Sequence, residues 1–414
     1  MAANLHLEHA EDLMLMLGRK GVDEAFEYID DLVHTFSSVP KGNQKITTKW
    51  DGSPSIFCGY DPADGAFFVG KKSVFNKKKP GMYKSEAEIT GDTKADPDLK
   101  KAYMALWKGF KPLYDSGKLK DVVQGDFLFH KGGRKIVRDV HGENCIMFKP
   151  QLISYCIPDH DDLYDKAKNC DACVVIHAKY PANPNAKTIH DLNVSFGFDA
   201  SHLSTKQMLI LTPYTSELGS SMVLTPTEKR KIERSRRAVN SLLLQCSTFL
   251  DTIAANYDDS WDHAYFIKQY FNARVREGQA VNSASKFFTD YCNYYEEKLR
   301  AKYTSLTQPN SIAKWKKKFY DGYDFIQKNK THFVAMVGIY NSIQNIKTIF
   351  IPKFESGERF KTFYYNENDG TYDIGNQEGY VVVRDSSRAV KIVQRLGGFS
   401  ERNFNEQKKW AKKK

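Results

Sequence analysis

The sequence predicts an α+β protein with a mostly helical domain inserted into it. Three observations carry this expectation. Strand-forming segments and short helices alternate between residues 45 and 176. From about 226 to 348 apolar residues recur three and four apart, the period of helices. Strand character then returns at 362–366, 372–374, 378–384 and 388–394.

Residues 5–37 read as two helices, the second with Ala25, Ile29, Leu32 and Val33 on one face. Residues 45–60 and 66–75 are strand-like and are joined by Asp61-Pro62-Ala63-Asp64-Gly65, a strong turn signal. Residues 95–113 return to helix, with Leu99, Tyr103, Leu106 and Phe110 aligned. Residues 121–130 and 145–157 are expected as strands, 160–169 as a short helix and 173–176 as an apolar strand. Thr225-Pro226-Thr227-Glu228 supplies cap and first-turn signals for the helical block, read as segments at 226–252, 258–273, 281–303 and 312–348.

Composition narrows the class of partner. The 414 residues suffice for two or three domains, and 41% hydrophobic content allows a sizeable core. A formal charge of +11 and a pI near 9.0 favour polyanions: nucleic acid, nucleotides or an acidic membrane. No apolar run approaches the roughly 20 residues that span a bilayer. The first 19 residues lack the basic start and apolar middle of a secretory signal. Seven scattered cysteines fit free thiols in a reducing cytoplasm, and Cys170-Asp171-Ala172-Cys173 has no second pair with which to build a zinc site.

The chemistry is expected around Lys49-Trp50-Asp51-Gly52, at the end of an apparent strand. A lysine amine can attack a nucleoside triphosphate once it loses its proton. At an unperturbed pKa near 10.4, about one in a few thousand is neutral at pH 7. Gly52 admits close backbone approach to a phosphate or sugar, and Asp51 can orient the amine and the ribose. Further elements follow in order: Val69-Gly70-Lys71-Lys72-Ser73, whose two lysines can hold phosphates; Gly125-Asp126, a lone acid in an apolar strand; Tyr155, a central strand aromatic; Glu378-Gly379-Tyr380-Val381; and Lys391 in a later strand. An unpaired carboxylate such as Asp126 is costly in an apolar strand, so it should face a cleft, a metal or a sugar hydroxyl. His130, His141 and His177 lie on separate elements without ligand spacing.

This ordered set resembles the covalent nucleotidyltransferases: the ATP-dependent DNA and RNA ligases and the mRNA capping enzymes. Lys49 to Gly52 looks like their first motif, Gly125-Asp126 their third with aspartate for glutamate, and Glu378 to Val381 their fourth. Lys391 looks like the first lysine of the fifth motif, and Val393 stands where its second would be. The resemblance covers roughly residues 45–180 and 360–395. Ser53-Pro54-Ser55 replaces the arginine often found after the first motif, and too few residues follow the fifth for an OB-fold. Both features look more like the phage-type RNA ligases.

The resemblance implies an ATP-grasp-like adenylation domain with antiparallel sheets, formed by residues 41–205 and 350–400. A helical extension at 1–40, a helical insertion at 206–349 and a basic tail at 401–414 complete the expected organisation. It implies Lys49, Asp51 and Lys391 as catalytic residues. Thr48, Lys49, Gly52, Lys71, Lys72, Asp126, Tyr155, Glu378 and Lys391 would contact ATP, with Tyr155 stacking on the base, and Asp126 and Glu378 would hold Mg²⁺. The implied reaction joins a 5′-phosphate to a 3′-hydroxyl of nucleic acid, RNA rather than DNA, through lysyl-AMP. The protein is expected to be a monomer without membrane association, in the cytoplasm, of the host cell if phage-encoded. Two alternatives stand beside it: a guanylyl- or adenylyltransferase without ligation, and a non-catalytic basic nucleic-acid-binding protein with a decayed nucleotide pocket. The runs Lys77-Lys78-Lys79 and Lys314-Trp315-Lys316-Lys317-Lys318 are candidate phosphate grips; the second interleaves aromatics with charge, and a solvated helix face explains it equally well.

Overall fold

A computed structural model describes residues 7–37, 45–138, 142–214, 223–257, 261–281, 283–365 and 371–403. The fold is α+β, with mostly antiparallel sheets and several helices. The described chain forms two compact units: residues 45–214 with 354–391, and residues 8–37 with 223–353 and 392–403.

The chain opens with α1 (Leu13–Leu17) and α2 (Arg19–Thr35), both in the second unit. The first unit follows with β1 (Lys45–Lys49), β2 (Ser55–Tyr60), β3 (Phe67–Gly70), β4 (Met82–Tyr83), α3 (Glu86–Gly91) and α4 (Pro97–Asp115). It continues through β5 (Val122–His130), β6 (Arg134–Arg138), β7 (Asn144–Phe148), β8 (Ile153–Pro158), α5 (Tyr164–Asn169), β9 (Ala172–Tyr180), β10 (Ser195–Phe196) and β11 (Met208–Leu211). The chain returns to this unit with β12 (Lys361–Tyr365), β13 (Tyr372–Ile374), β14 (Gly379–Val383) and β15 (Ala389–Ile392).

Three sheets result. The first runs β1-β14-β15; the second runs β10-β9-β5-β2-β3-β4, with β11 parallel to β9; the third runs β13-β12-β8-β7-β6. The second sheet is apolar on both faces because its strands are covered on both. Ile56, Cys58, Val69, Val123, Phe127, Val174 and Ile176 pack with Tyr103, Leu106 and Phe110 of α4. The alternate residues Phe57, Phe68, Val122 and Tyr180 form a separate core with Phe75, Ile189 and Leu192. The period-two alternation of a strand thus assigns each side chain to a face. The predicted turn at 61–65 closes the hairpin: Ala63 N–H donates to the Asp61 carboxylate at 3.0 Å, and Gly65 N–H to Asp61 C=O at 2.7 Å.

The second unit adds α6 (Pro226–Ala254), α7 (His263–Arg276), α8 (Ala284–Thr304), α9 (Pro309–Lys328), α10 (Lys330–Glu355), which passes into the first unit after Lys353, and α11 (Gly398–Arg402). The cap signal at Thr225 is a full capping box: Glu228 N–H donates to the Thr225 hydroxyl, and Thr225 N–H to the Glu228 carboxylate. Helices α1 and α2 pack on α6. Buried ion pairs join distant stretches of this unit. Glu11 meets Lys347 at 2.7 Å, and Arg395 meets Asp12 at 3.1 Å and donates to Asn272 at 2.8 Å.

Several sequence expectations change. The segment 312–348 is two helices broken at Asn329, whose backbone N–H and side-chain amide both donate to Phe325 C=O and end α9. The segment 145–157 is two strands, β7 and β8. The edge strand β6 is an addition, because Arg134, Lys135 and Arg138 mask its alternation. The tail at 404–414, His141 and residue 366 lie outside the described residues. No helix among the described residues is long and apolar enough to cross a membrane.

Candidate functional site

The tetrad Lys49-Trp50-Asp51-Gly52 lies where the three sheets of the first unit meet. Lys49 ends β1, and its register partner on β14 is Gly379. Gly379 has φ 153°, a conformation that favours glycine. Beside it, the Glu378 carboxylate forms an ion pair with the Lys49 ammonium. The two side chains keep 29% and 20% of their surface exposed, so a ligand can reach them.

Asp51 ties the tetrad to the third sheet. Its carboxylate accepts the N–H groups of Leu152 at 2.6 Å and Ile153 at 2.8 Å. Its own N–H donates to the Tyr155 hydroxyl at 2.8 Å. Gly52 ties the tetrad to the second sheet: a Cβ there would lie 2.3 Å from the Asp126 Cβ. The connection from the cis Ser53–Pro54 peptide to β2 is held by Ser53 N–H on Phe127 C=O and by Phe127 N–H on Pro54 C=O, each at 3.0 Å. Asp126 sits opposite Ser55 in the β5–β2 register and faces away from Phe127 and the α4 core.

The electrostatics centre on one amine. Burial alone would push the Lys49 ammonium below its usual value. The Glu378 carboxylate, with the charges of Asp126 and Asp51, outweighs burial and raises it. Burial lifts the Asp51 carboxyl to about 6 and Glu378 adds to that, against the two N–H bonds and Lys49. Three carboxylates therefore act on a single cation. Among the described residues no group of three or more His, Cys, Asp or Glu side chains is spaced to hold a metal ion. The carboxylate pair Asp126 and Glu378 fits Mg²⁺ only in its usual nucleotide mode, one or two protein carboxylates completed by phosphate oxygens.

Other expected site residues are placed differently. Tyr155 is fully buried, flanked by Trp50 at 4.7 Å and Phe148 at 5.5 Å, so its ring has no face for a nucleobase; its hydroxyl acts, as the acceptor for Asp51. Thr48 points to the opposite side of β1 from Lys49, where its hydroxyl donates to Glu358 at 2.8 Å. Lys71 lines a cleft of about 660 Å³ with Tyr83, Asp92 and Tyr103, on the α4 side of the second sheet. Asp126 belongs to the other face. Lys72 begins a short 3-10 turn and is exposed. Lys391 stands half-buried on β15, beside β14. Val393 is buried, which suits an apolar residue and not a second lysine.

One residue joins the site that the sequence did not single out for it. His177 on β9 brings Nε2 to 3.6 Å from the Asp126 carboxylate. Its strand alternation, with Val174 and Ile176 on the α4 core, was the available signal. Glu358 stands apart from the amine, next to Thr48 on the opposite side of β1, and burial lifts its carboxyl to about 7.

Comparison with family models gives a match along residues 4–408 to a family of unknown function, DUF6267. The chain belongs to that family. No curated protein and no solved structure matches it.

Proposed function

We propose that this DUF6267 protein is a covalent nucleotidyltransferase that charges Lys49 with AMP from ATP and passes it to a polynucleotide, in the manner of an ATP-dependent RNA ligase. One observation carries the proposal. Residues of the expected first, third and fourth motifs, far apart in sequence, converge on one amine: Glu378 pairs with Lys49, and Asp126 and Asp51 add their charge. A fold of ATP-grasp-like ligase type belongs to the same proposal.

The residues divide the work as follows. Glu378 takes one proton from the Lys49 ammonium, which frees the lone pair of Nζ for attack, and the second proton leaves Nζ with the departing pyrophosphate. The new bond joins Nζ to the α-phosphorus, the bond from that phosphorus to the bridging oxygen breaks, and pyrophosphate leaves with the electron pair. Asp51, Tyr155 and Gly52 fix the backbone around Lys49, so that the amine meets the phosphate in one orientation. Mg²⁺, held by Asp126 and by phosphate oxygens, would supply positive charge against the phosphates, while Glu378 serves Lys49. A 5′-phosphate oxygen of the polynucleotide then takes AMP from Lys49, and a 3′-hydroxyl displaces the AMP.

The raised Lys49 pKa favours a second reading: an ammonium that stays charged and grips phosphates without reacting. The test is to incubate the protein with Mg²⁺ and either ATP or GTP, each α-labelled, then to add a 5′-phosphorylated RNA. The proposal expects acid-labile label on protein from ATP, transfer to RNA and sealed product. Binding of ATP without label on protein would establish the second reading instead.

A further inference from the structure

We propose that the helical unit carries its own binding site for single-stranded nucleic acid, a cleft of about 450 Å³ between the end of α6, the start of α7, α8 and α9. From the proposed function this takes only the class of ligand; the site is separate from Lys49 and lies wholly within the second unit.

The cleft combines the two chemistries that grip a single strand, π faces for bases and ammonium groups for phosphates. Its lining includes Trp261, His263, Tyr295, Lys314, Lys317 and Lys318. Trp261 and Trp315 meet edge to face at 4.6 Å and both are half-buried. Lys302 lies 5.3 Å from each of the two indole rings, and Lys318 lies 5.9 Å from Trp315. Lys302 and Trp315 stand beside the lining, so these contacts gather positive charge at the indole pair on the rim of the cleft, next to Lys314 and Lys317.

The inner wall is neutral and flat. His263 stacks on Tyr295 at 5.5 Å and on Phe325 at 4.6 Å, with interplanar angles of 20° and 24°. Burial holds its imidazole down to about 4, so at neutral pH this wall adds no charge; its two faces are taken by Tyr295 and Phe325, and Trp261 is the lining ring left to meet a base. Gly322 keeps α9 close to this wall, since a Cβ there would fall 1.9 Å from the Tyr295 hydroxyl.

Two acids border the cleft and neither opposes an anion strongly. Asp262 caps α7 through the His263 N–H. Asp321 pairs with Lys317 one turn away, and both are largely exposed. Such a surface pair is weak, and a phosphate can take over Lys317. A solvated basic face needs neither a cleft nor two indoles beneath its lysines.

The experiment measures binding of a fluorescein-labelled single-stranded oligoribonucleotide to the full chain without ATP, across a salt series. Three proteins are compared: wild type, Trp261→Ala, and the triple change Lys314→Gln, Lys317→Gln, Lys318→Gln. The indole variant should bind roughly ten-fold more weakly. The triple variant should lower the slope of log affinity against log salt by about 2, from three lost phosphate contacts. RNA should also quench wild-type tryptophan fluorescence, and AMP should compete poorly. Lys314 and Lys317 are exposed and Lys318 is half-buried, so that variant keeps its apolar core even if the indole change destabilises the bundle. Unchanged affinity and slope in the triple variant would overturn the inference. So would equal competition by poly-glutamate, which would show that charge alone is read. Label transfer from ATP to Lys49 without RNA should be the same in all three proteins, so failure at this cleft is distinguishable from failure of the proposed chemistry.

Discussion

At the scale of single residues, the tetrad divides into one amine and its supports. Asp51 serves the backbone: it accepts two N–H groups from the start of the third sheet. Asp51→Ala should cost about 2–4 kcal/mol by urea unfolding, because each buried unpaired donor costs about 1–3 kcal/mol. The pH dependence has a definite sign. The folded-state carboxyl is raised to about 6, above the ordinary 3.8. Protonation therefore favours the fold: the contribution is full below about pH 4 and is lost as pH rises through 6. Asp51→Asn removes that titration. Its stability relative to wild type should improve by roughly 2–3 kcal/mol between pH 4 and pH 7. A gap that does not move with pH would contradict the burial of this carboxyl. Tyr155→Phe removes the acceptor for Asp51 N–H and should cost about 1–2 kcal/mol, with little change in nucleotide affinity. A large loss of ATP affinity at unchanged stability would restore the base-stacking role.

At the scale of elements, the decisive contact is a strand pairing. The sequence displays Lys49 and Glu378 as ends of two strand-like segments, but their adjacency exists only through the antiparallel register of β1 and β14. Local patterning can mark a strand and cannot name its partner. For the same reason Tyr155, legible as a central strand aromatic, was assigned a base-stacking role it cannot fill. Trp50, just past the end of β1, and Phe148 of β7 reach its faces. His177 was visible only as an isolated histidine until β9 paired with β5. Signals that act within a few residues were legible: the 61–65 turn, the Thr225 box, and the apolar face of α4. The junction itself can be tested at Gly52. Gly52→Ala forces a methyl against Asp126 and should abolish label on Lys49, while far-UV helicity, which comes mainly from the other unit, stays at the wild-type level. Full labelling of that variant would mean that the tetrad does not need its close packing on β5.

At the scale of the molecule, the described chain joins a β-rich unit bearing Lys49 to a helical unit with buried charges of its own. The N-terminal helices belong structurally with the later helical block, because Glu11 and Asp12 pair with Lys347 and Arg395 inside it. Lys347→Met takes from buried Glu11 its nearer cation and leaves it Arg395 at 3.8 Å; it should destabilise the helical unit by about 2–4 kcal/mol, and the double change with Glu11→Met should recover most of that loss. Thermal unfolding of the two variants checks this; equal losses would deny that the pair acts as a unit. The central claim, a covalent bond between Lys49 and a nucleotide, is tested most directly by mass spectrometry of tryptic peptides after incubation with ATP and Mg²⁺. The account predicts AMP added to the peptide that contains Lys49, absent from the Lys49→Ala protein. An adduct on another residue, or persistent labelling of that variant, would contradict it.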